Sequence, residues 1–320
     1  MIPRMETDGK NTLVVLGPTA SGKTRLGVHL ASRLGGEVLS ADSRQVYRGL
    51  DIGSGKDLGE YVVNGAAVPY HLIDIAGLDA EFSVFDYQRR FFDAFEDVTA
   101  RERLPVVVGG TGLYLDAVLR GYRLVETPGN PELRVALEDL PHDALMARLK
   151  EIKPDLHNTT DLLDRERLVR AIEIAEYARD HAPEPGPEIR PLVLGTLWDR
   201  SELRGRIAQR LRERLDGGMI EEVRGLIDGG VPAARLELLG LEYRFIAEFL
   251  DGRIRTRNDL FQKLNSAIAQ FAKRQETWFR RMERQGVEIR WIPRGDIETA
   301  WQAVLEYGYA DNIYRAQWKR

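Results

Sequence analysis

Apolar and polar positions along this chain follow two periods. Leu13 to Leu16 is an uninterrupted apolar run of strand length, it breaks into Gly17-Pro-Thr-Ala-Ser-Gly-Lys-Thr24, and Leu26, Leu30 and Leu34 then share one helical stripe. That order predicts a buried strand, a glycine turn and a helix packed back on a sheet. Gly35 and Gly36 end the helix, and a second short apolar strand from Glu37 delivers Asp42 and Ser43 at its C-terminal end. A helix over 84–102 follows, then a strand from Leu104 to Val108 that stops at Gly109-Gly-Thr-Gly112 before another helix. Buried strands alternating with helices predict a parallel doubly wound sheet, which binds ligands at the C-terminal edge of its strands. Asp42 and Thr111 are therefore expected beside the first glycine turn. Residues 48–83, glycine-rich and irregular apart from the short apolar run His71 to Ile75, read as a lid or substrate loop.

From Gly121 the pattern changes. Thr127 to Asn130 is a turn, Asn130 with Pro131 starts a helix, and residues 131–180 read as helices punctuated by Pro141 and Pro154 with no strand period. A proline-rich connector from His181 leads to an apolar strand at Leu192 to Trp198. Helices at about 200–228, 241–250 and 257–285, a strand at Val287 to Ile292 and a helix near 296–307 follow. The expected fold is α/β, a P-loop-type parallel sheet core flanked by helices with an all-helical insertion. The core would be discontinuous, residues 1–122 and 192–310, with the insertion at 123–191 and a tail at 311–320 to which no role is assigned.

Composition narrows the class. At 320 residues, 43% apolar and 30% charged, the chain has room for about two domains. It has no apolar stretch of membrane-spanning length and starts without a signal-peptide pattern, so a soluble cytoplasmic protein is expected; separately, a monomer is the expected state. The absence of cysteine excludes disulfides, thiolate metal sites and cysteine nucleophiles. The five histidines, at 29, 71, 142, 157 and 181, show no ligand spacing and read as surface or packing residues. With 46 basic and 50 acidic residues the net charge is -4, so nucleic-acid binding must rest on local clustering. Residues 200–215 carry six Arg against two Glu, and residues 273–284 carry Lys273, Arg274, Arg280, Arg281 and Arg284 against Glu276 and Glu283. On charge alone, solvated helix faces are the plainer reading of both.

The segment Gly17 to Thr24 fills the G-x-x-x-x-G-K-[ST] pattern, with a strand before it and a helix after. Its glycines turn backbone N–H groups around phosphate oxygens, Lys23 adds a full charge, and Thr24 is the candidate ligand of a magnesium ion, the expected Mg2+ cofactor. Gly17, Pro18, Thr19, Ala20, Ser21, Gly22, Lys23 and Thr24 are thus the candidate diphosphate- or nucleotide-binding residues. The loop alone permits ATP binding. An ATP-hydrolysing site usually ends a neighbouring apolar strand in an acid, yet here that strand ends in Gly109 and Gly110 and only the weaker Leu-Ile-Asp run offers Asp74. A site that holds pyrophosphate as a leaving group fits better.

Several motifs in order, Gly17-Pro-Thr-Ala-Ser-Gly-Lys-Thr24, Ser40-Ala-Asp-Ser-Arg-Gln-Val-Tyr47, Asp51-Ile-Gly53, His71-Leu-Ile-Asp-Ile75, Phe82-Ser-Val84, Gly109-Gly-Thr-Gly-Leu-Tyr114 and Ala272-Lys-Arg-Gln-Glu-Thr-Trp-Phe-Arg280, closely resemble the bacterial tRNA dimethylallyltransferases. The similarity runs over roughly residues 12–292. It implies transfer of a dimethylallyl group from dimethylallyl diphosphate to N6 of adenosine 37 in the tRNA anticodon stem-loop. By match to the family's motifs the catalytic residues would be Asp42, Thr111 and Lys23, with Asp42 as the base. The tRNA contacts would be Asp42, Ser43, Arg44, Gln45, Thr111, Arg134, Asp164, Arg165, Glu166, Arg167, Lys273, Arg274, Gln275, Trp278 and Arg280.

Two departures stand out. The family's usual Gly-Tyr-Arg or Gly-Tyr-Lys reads Gly240-Leu241-Glu242-Tyr243-Arg244, and its Thr-Arg before the Lys-Arg-Gln motif reads Ile268-Ala269. Lys56, Arg44 or Arg244 are the candidates to supply the missing cation. Three competing readings remain open on the residues: a nucleotide kinase or NTPase, prenylation of free adenine nucleotide, and a tRNA-binding protein with weakened catalysis.

Overall fold

The structure, a computed structural model, describes residues 9–154 and 164–307. In chain order its elements are β1 (Thr12–Leu16), α1 (Lys23–Leu34), β2 (Glu37–Ala41), a hairpin of β3 (Val62–Val63) and β4 (Ala66–Ala67), β5 (Tyr70–His71), α2 (Val84–Ala100), β6 (Pro105–Gly109) and α3 (Gly112–Leu119). Helices α4 (Pro131–Glu138), α5 (His142–Ile152) and α6 (Arg165–Asp180) follow, then β7 (Pro191–Leu197), α7 (Arg200–Asp216), α8 (Met219–Asp228), α9 (Ala233–Leu238), α10 (Leu241–Leu250), α11 (Arg257–Arg284), β8 (Ile289–Pro293) and α12 (Ile297–Glu306).

The main sheet has six parallel strands in the order β5-β2-β6-β1-β7-β8. Strand β1 is central because it is apolar on both faces, as a strand covered by helices on both sides must be. Leu13 and Val15 pack with Leu26 and Leu30 of α1 and Ala300 and Val304 of α12. Val14 and Leu16 pack with Tyr87 and Phe91 of α2 and Leu115 and Val118 of α3. The doubly wound architecture expected from the alternating pattern is present, and it sets the C-terminal ends of β1, β2 and β6 side by side.

Helix α11 joins this sheet to a second core. Its 28 residues, roughly 42 Å at 1.5 Å per residue, bury one stripe: Leu260, Leu264, Ile268, Ala272, Gln275, Phe279 and Met282. The early part of the stripe packs with Leu203, Ile207, Leu211 and Leu215 of α7 and Ile246 of α10, the late part with the sheet's α2–α3 face. Gln275, the polar member of the stripe, lies where the two meet.

Contacts divide the chain into two units, one containing the described residues up to Gly121 and from Pro187 onward, the other Tyr122–Gly186. Pro187 to Arg190 go with the sheet because the Asn11 N–H donates to the Arg190 carbonyl at 2.9 Å and the Arg190 N–H to Asn11 Oδ1 at 2.8 Å. The second unit is all helical, with a core of Leu137, Leu145, Leu149, Leu168, Ile172 and Ala175. Asn130 caps α4 by accepting from the Leu133 N–H, and Pro141 precedes α5, as the punctuation predicts.

Three expectations change. The run His71 to Ile75 makes a strand only at Tyr70–His71, because Leu72 (φ 66°) and Asp74 (φ 57°) turn left-handed and leave the ladder. The helix expected over 200–228 is two helices, broken at Gly217 and Gly218, the latter at φ 97°. Residues 48–83, expected as a lid or substrate loop, are not an open lid, though Gly53, Ser54 and Gly55 reach the C-terminal edge of the sheet. Tyr61, Val63 and Val68 are buried against the α1 side of the sheet, and Lys56, 3% exposed, donates to the Tyr47 carbonyl (2.9 Å), Asp51 (2.7 Å) and Asp74. The tail at 311–320 and His157 lie outside the described residues.

Candidate active site

The C-terminal edge of the sheet opens into a cleft of about 360 Å³. Its floor is the glycine loop, which the rest of the chain holds in place. Gln275 Oε1 accepts from the Thr19 N–H at 2.8 Å while its Nε2 donates to the Gly110 carbonyl at 2.8 Å, so one amide ties the two glycine turns together. From the β7 side, Thr196 Oγ1 donates to Ser21 Oγ (2.7 Å), Trp198 Nε1 to the Ser21 carbonyl (2.9 Å) and Arg206 Nε to the Ala20 carbonyl (2.8 Å). The Arg206 guanidinium also lies 4.3 Å over the Trp198 ring. Helix α1 begins at Lys23, directing its N-terminus and the side chains of Lys23 and Thr24 into the cleft. Burial lowers the Lys23 ammonium to about 8; Asp42 opposes that shift, and Arg210 and Arg214 add to it.

Gly110 explains the missing acid at the end of β6. A Cβ there would stand 2.6 Å from Gln275 Nε2 and 3.3 Å from Lys23 Cε, so the place of a strand-end carboxylate is taken by the loop's own brace and lysine. Asp74, the other candidate acid, is paired with Lys56. Among the described residues no group of three or more His, Cys, Asp or Glu could cage a metal. Thr24, whose hydroxyl has no protein partner among the described residues, lines the cleft. A single hydroxyl suits Mg2+, which can take one protein oxygen and complete its octahedron with water and substrate phosphates.

Asp42 and Thr111 meet as the strand order predicts. Thr111 caps the start of α3, but its Oγ1 accepts from the Ser43 N–H at 3.0 Å, and its own N–H donates to the Ala41 carbonyl at 3.1 Å. Asp42 Oδ1 accepts from the Arg44 N–H at 2.9 Å, leaving Oδ2 without a partner among the described residues. One oxygen fixes the carboxylate; the other is available to a substrate proton in the cleft.

The sequence reading missed the arginines of α7. Arg210 and Arg214 line the cleft opposite Lys23, and their guanidiniums press on Gly55 so closely that any Cβ there would collide with them. Both pair with Asp57, at 3.1 and 3.2 Å. Their period along α7 was legible, since Leu203, Ile207, Leu211 and Leu215 form the buried stripe and Arg206, Arg210 and Arg214 the next one round. What that second stripe faces is set by tertiary packing. Glu242 also lines the cleft, and burial raises its pKa, with Arg214 and Arg210 pulling it down and Asp42 pushing it up. The chain thus has an acid where the resemblance led one to expect a cation, and two arginines from α7 beside it. Of the three compensating cations considered, Arg44 and Arg244 line the cleft. Lys56 does not serve, because it is buried among Tyr47, Asp51 and Asp74. Ala269 opens on a separate groove with Arg200, Arg204 and Lys273.

The remaining candidates divide by surroundings. Ser43, Arg44 and Arg274 line the cleft, and Lys273, Arg274 and Arg280 are exposed on α11. Trp278 packs on Gly112 beneath the Arg281 guanidinium, 5.5 Å from its ring. Gln45 is buried, its Oε1 accepting from Ser40 Oγ (3.1 Å) and its Nε2 donating to the Gly55 carbonyl (3.0 Å), and so braces the 51–56 loop. In the helical unit, Arg134 makes a two-pronged pair with Glu173 at 2.8 and 2.9 Å. Burial would push Glu173 up, but Arg134, the Asn130 N–H and Arg170 together hold it at about 2. Arg165 donates to the Leu140 and Leu137 carbonyls at the end of α4, and Asp164 caps α6 by accepting from the Arg167 N–H at 3.0 Å. Glu166 and Arg167 are exposed.

Comparison with known proteins agrees with this geometry. The family model described as IPP transferase matches residues 45–282. The tRNA dimethylallyltransferase 2 of Syntrophotalea carbinolica is 61% identical over 285 residues, 88% of this chain and 94% of its own length. That of Pelobacter propionicus is 57% identical over 303 residues, 93% of this chain and 95% of its own. Among solved structures, the full-length tRNA isopentenylpyrophosphate transferase of Bacillus halodurans aligns over 96% of this chain and 99% of its own at a TM-score of 0.67 and 31% identity. A eukaryotic dimethylallyltransferase acting on tRNA shares the fold at a TM-score of 0.74 and 23% identity, over 92% of this chain and 78% of that one.

Proposed function

The chain belongs to the IPP transferase family, and on that premise we propose that it transfers a dimethylallyl group from dimethylallyl diphosphate to N6 of adenosine 37 in tRNA, forming N6-(dimethylallyl)adenosine. The observation that carries the reading is one cleft with a phosphate cradle and the cations Lys23, Arg210 and Arg214 around the Asp42 carboxylate, and no acid after β6. Lys23, Arg210 and the loop N–H groups hold the diphosphate and stabilise the charge that grows on it as the allylic C–O bond breaks. Thr24 would hold Mg2+, whose charge helps neutralise the same leaving group. The N6 lone pair forms the new C–N bond, pyrophosphate departs with the electrons of the broken bond, and the proton N6 gives up passes to Asp42. Thr111, by fixing the Ser43 N–H, sets where that carboxylate stands. Adenosine 37 must leave its stack to reach Asp42, at a cost of about a few kcal/mol. Exposed Lys273, Arg274 and Arg280 of α11 supply tRNA backbone contacts that offset it.

A kinase or NTPase reading is disfavoured at Gly110, where a side chain would displace the Gln275 amide, 2.6 Å from its Cβ, that braces the loop. Against a loss of catalysis, Arg210 and Arg214 put two cations in the cleft beside Glu242. No helix among the described residues is long and apolar enough to cross a membrane, and a tRNA substrate supports a cytoplasmic site of action. The test is release of pyrophosphate from dimethylallyl diphosphate with Mg2+ and, separately, total tRNA, AMP or ATP as acceptor. Release that depends on tRNA is expected. Release with AMP and not tRNA, or phosphate from ATP without any allyl donor, would overturn the reading.

A further inference from the structure

Two large apolar side chains stand in the open at the mouth of the cleft. Leu238, the last residue of α9, is 68% exposed and Phe271 on α11 is 38% exposed, and both line the cleft that holds Asp42. A lone exposed apolar side chain is ordinary. Here two come from different helices to one opening, and the Arg274 guanidinium lies 5.8 Å over the Phe271 ring. Neither Arg274 nor Arg44, which also lines the cleft, has an ion-pair partner among the described residues. Apolar surface rimmed by unpaired cations suits a ligand that is flat and aromatic yet attached to negative charge, which describes an RNA base on its phosphate backbone. Unstacked bases are taken up on aromatic rings and guanidinium planes, and apolar wedges enter a nucleic-acid stack where it opens.

We propose that Phe271 and Arg274 form a stacking platform for a base adjoining the target adenosine, and that Leu238 fills the gap which the adenosine leaves as it swings into the cleft. The proposal rests on the tRNA reading of the site. It assigns Phe271 and Leu238 to acceptor binding alone; the alternative occupant of the same lip is the hydrocarbon of the allyl donor.

The test compares Phe271→Ala, Phe271→Tyr and Leu238→Ala with the wild type, reading tRNA Kd, KM for dimethylallyl diphosphate, and the fluorescence of an anticodon stem-loop with 2-aminopurine in place of the target adenosine. Phe271→Ala is expected to weaken stem-loop binding by about tenfold, the loss of one stacked base, with KM for the donor unchanged. Phe271→Tyr, which keeps the ring, should bind as the wild type does. Leu238→Ala should reduce the fluorescence rise that accompanies unstacking. Because both side chains are exposed, an unchanged melting temperature separates these effects from misfolding. Wild-type stem-loop affinity in Phe271→Ala, or a donor KM that rises in its place, would overturn the proposal. Failure of the wild-type enzyme to modify tRNA at all would overturn the functional reading itself, before any variant is compared.

Discussion

The floor of the cleft and its mouth are built on opposite terms. At the floor, the glycine loop is held by Gln275, Thr196, Trp198 and Arg206, each with a hydrogen bond from or to the loop. At the mouth, Phe271 and Leu238 are exposed, and Arg44 and Arg274 have no ion-pair partner among the described residues. The difference is one of substrate. A small diphosphate gains most from donors fixed before it arrives, since stabilising its departure then needs no reorganisation. A nucleic acid brings its own charges and planes, and the groups that meet it must stay unpaired until it docks. The helical unit adds a third case, in which Arg134, a candidate for tRNA, is exposed and also held by buried Glu173.

The largest expected effect comes from the boundary between floor and mouth. Asp42→Asn should lower kcat by about 10²- to 10⁴-fold, the range of a positioned general base, with tRNA affinity intact. Next, Arg210→Ala should reduce kcat/KM for dimethylallyl diphosphate by roughly 10²- to 10³-fold, as for loss of one charge-stabilising contact. A steady-state titration of each substrate checks this, and loss of tRNA affinity in its place would blur the distinction between the two ends. A smaller effect follows from Lys23, whose ammonium is lowered to about 8. Below that pH it is charged and meets the diphosphate; above it the proton is lost, so the donor KM should climb by up to about tenfold per pH unit. In Lys23→Arg, which stays charged, the climb should vanish.

The smallest effect on the reaction is expected from Arg134→Ala, which should destabilise the helical unit by about 2 kcal/mol through loss of charged hydrogen bonds to Glu173. Glu173 has its pKa lowered from 4.5 to about 2, so the stability this pair contributes is present in full above pH 4.5 and lost as pH falls toward 2. Thermal melts across that window should show the loss, and Glu173→Gln should flatten it.

Much of the floor was legible in the chain before its fold. The apolar run into Gly17 to Thr24 and the repeat of strand, turn and hydroxyl at Thr111 placed Lys23, Asp42 and Thr111 at one sheet edge, because strand alternation is a local property. The arginines of α7 escaped because a cationic stripe beside an apolar one reads as solvated, and only packing against Gly55 turns it inward. Lys56 misled in the opposite direction. A lysine in a glycine-rich loop looked available for phosphate, yet Asp51 and Asp74 converge on it from separate turns, the second held at a left-handed φ that pattern alone does not disclose. The break at Gly217 and Gly218 was visible as a glycine pair, but the apolar period on either side concealed it.

The most direct measurement is nucleoside mass spectrometry of tRNA after incubation with the enzyme, Mg2+ and dimethylallyl diphosphate. N6-(dimethylallyl)adenosine at position 37, formed by the wild type and missing with Asp42→Asn, is the expected result. An unmodified tRNA pool, or the same product yield with Asp42→Asn, would contradict the assignment of the cleft.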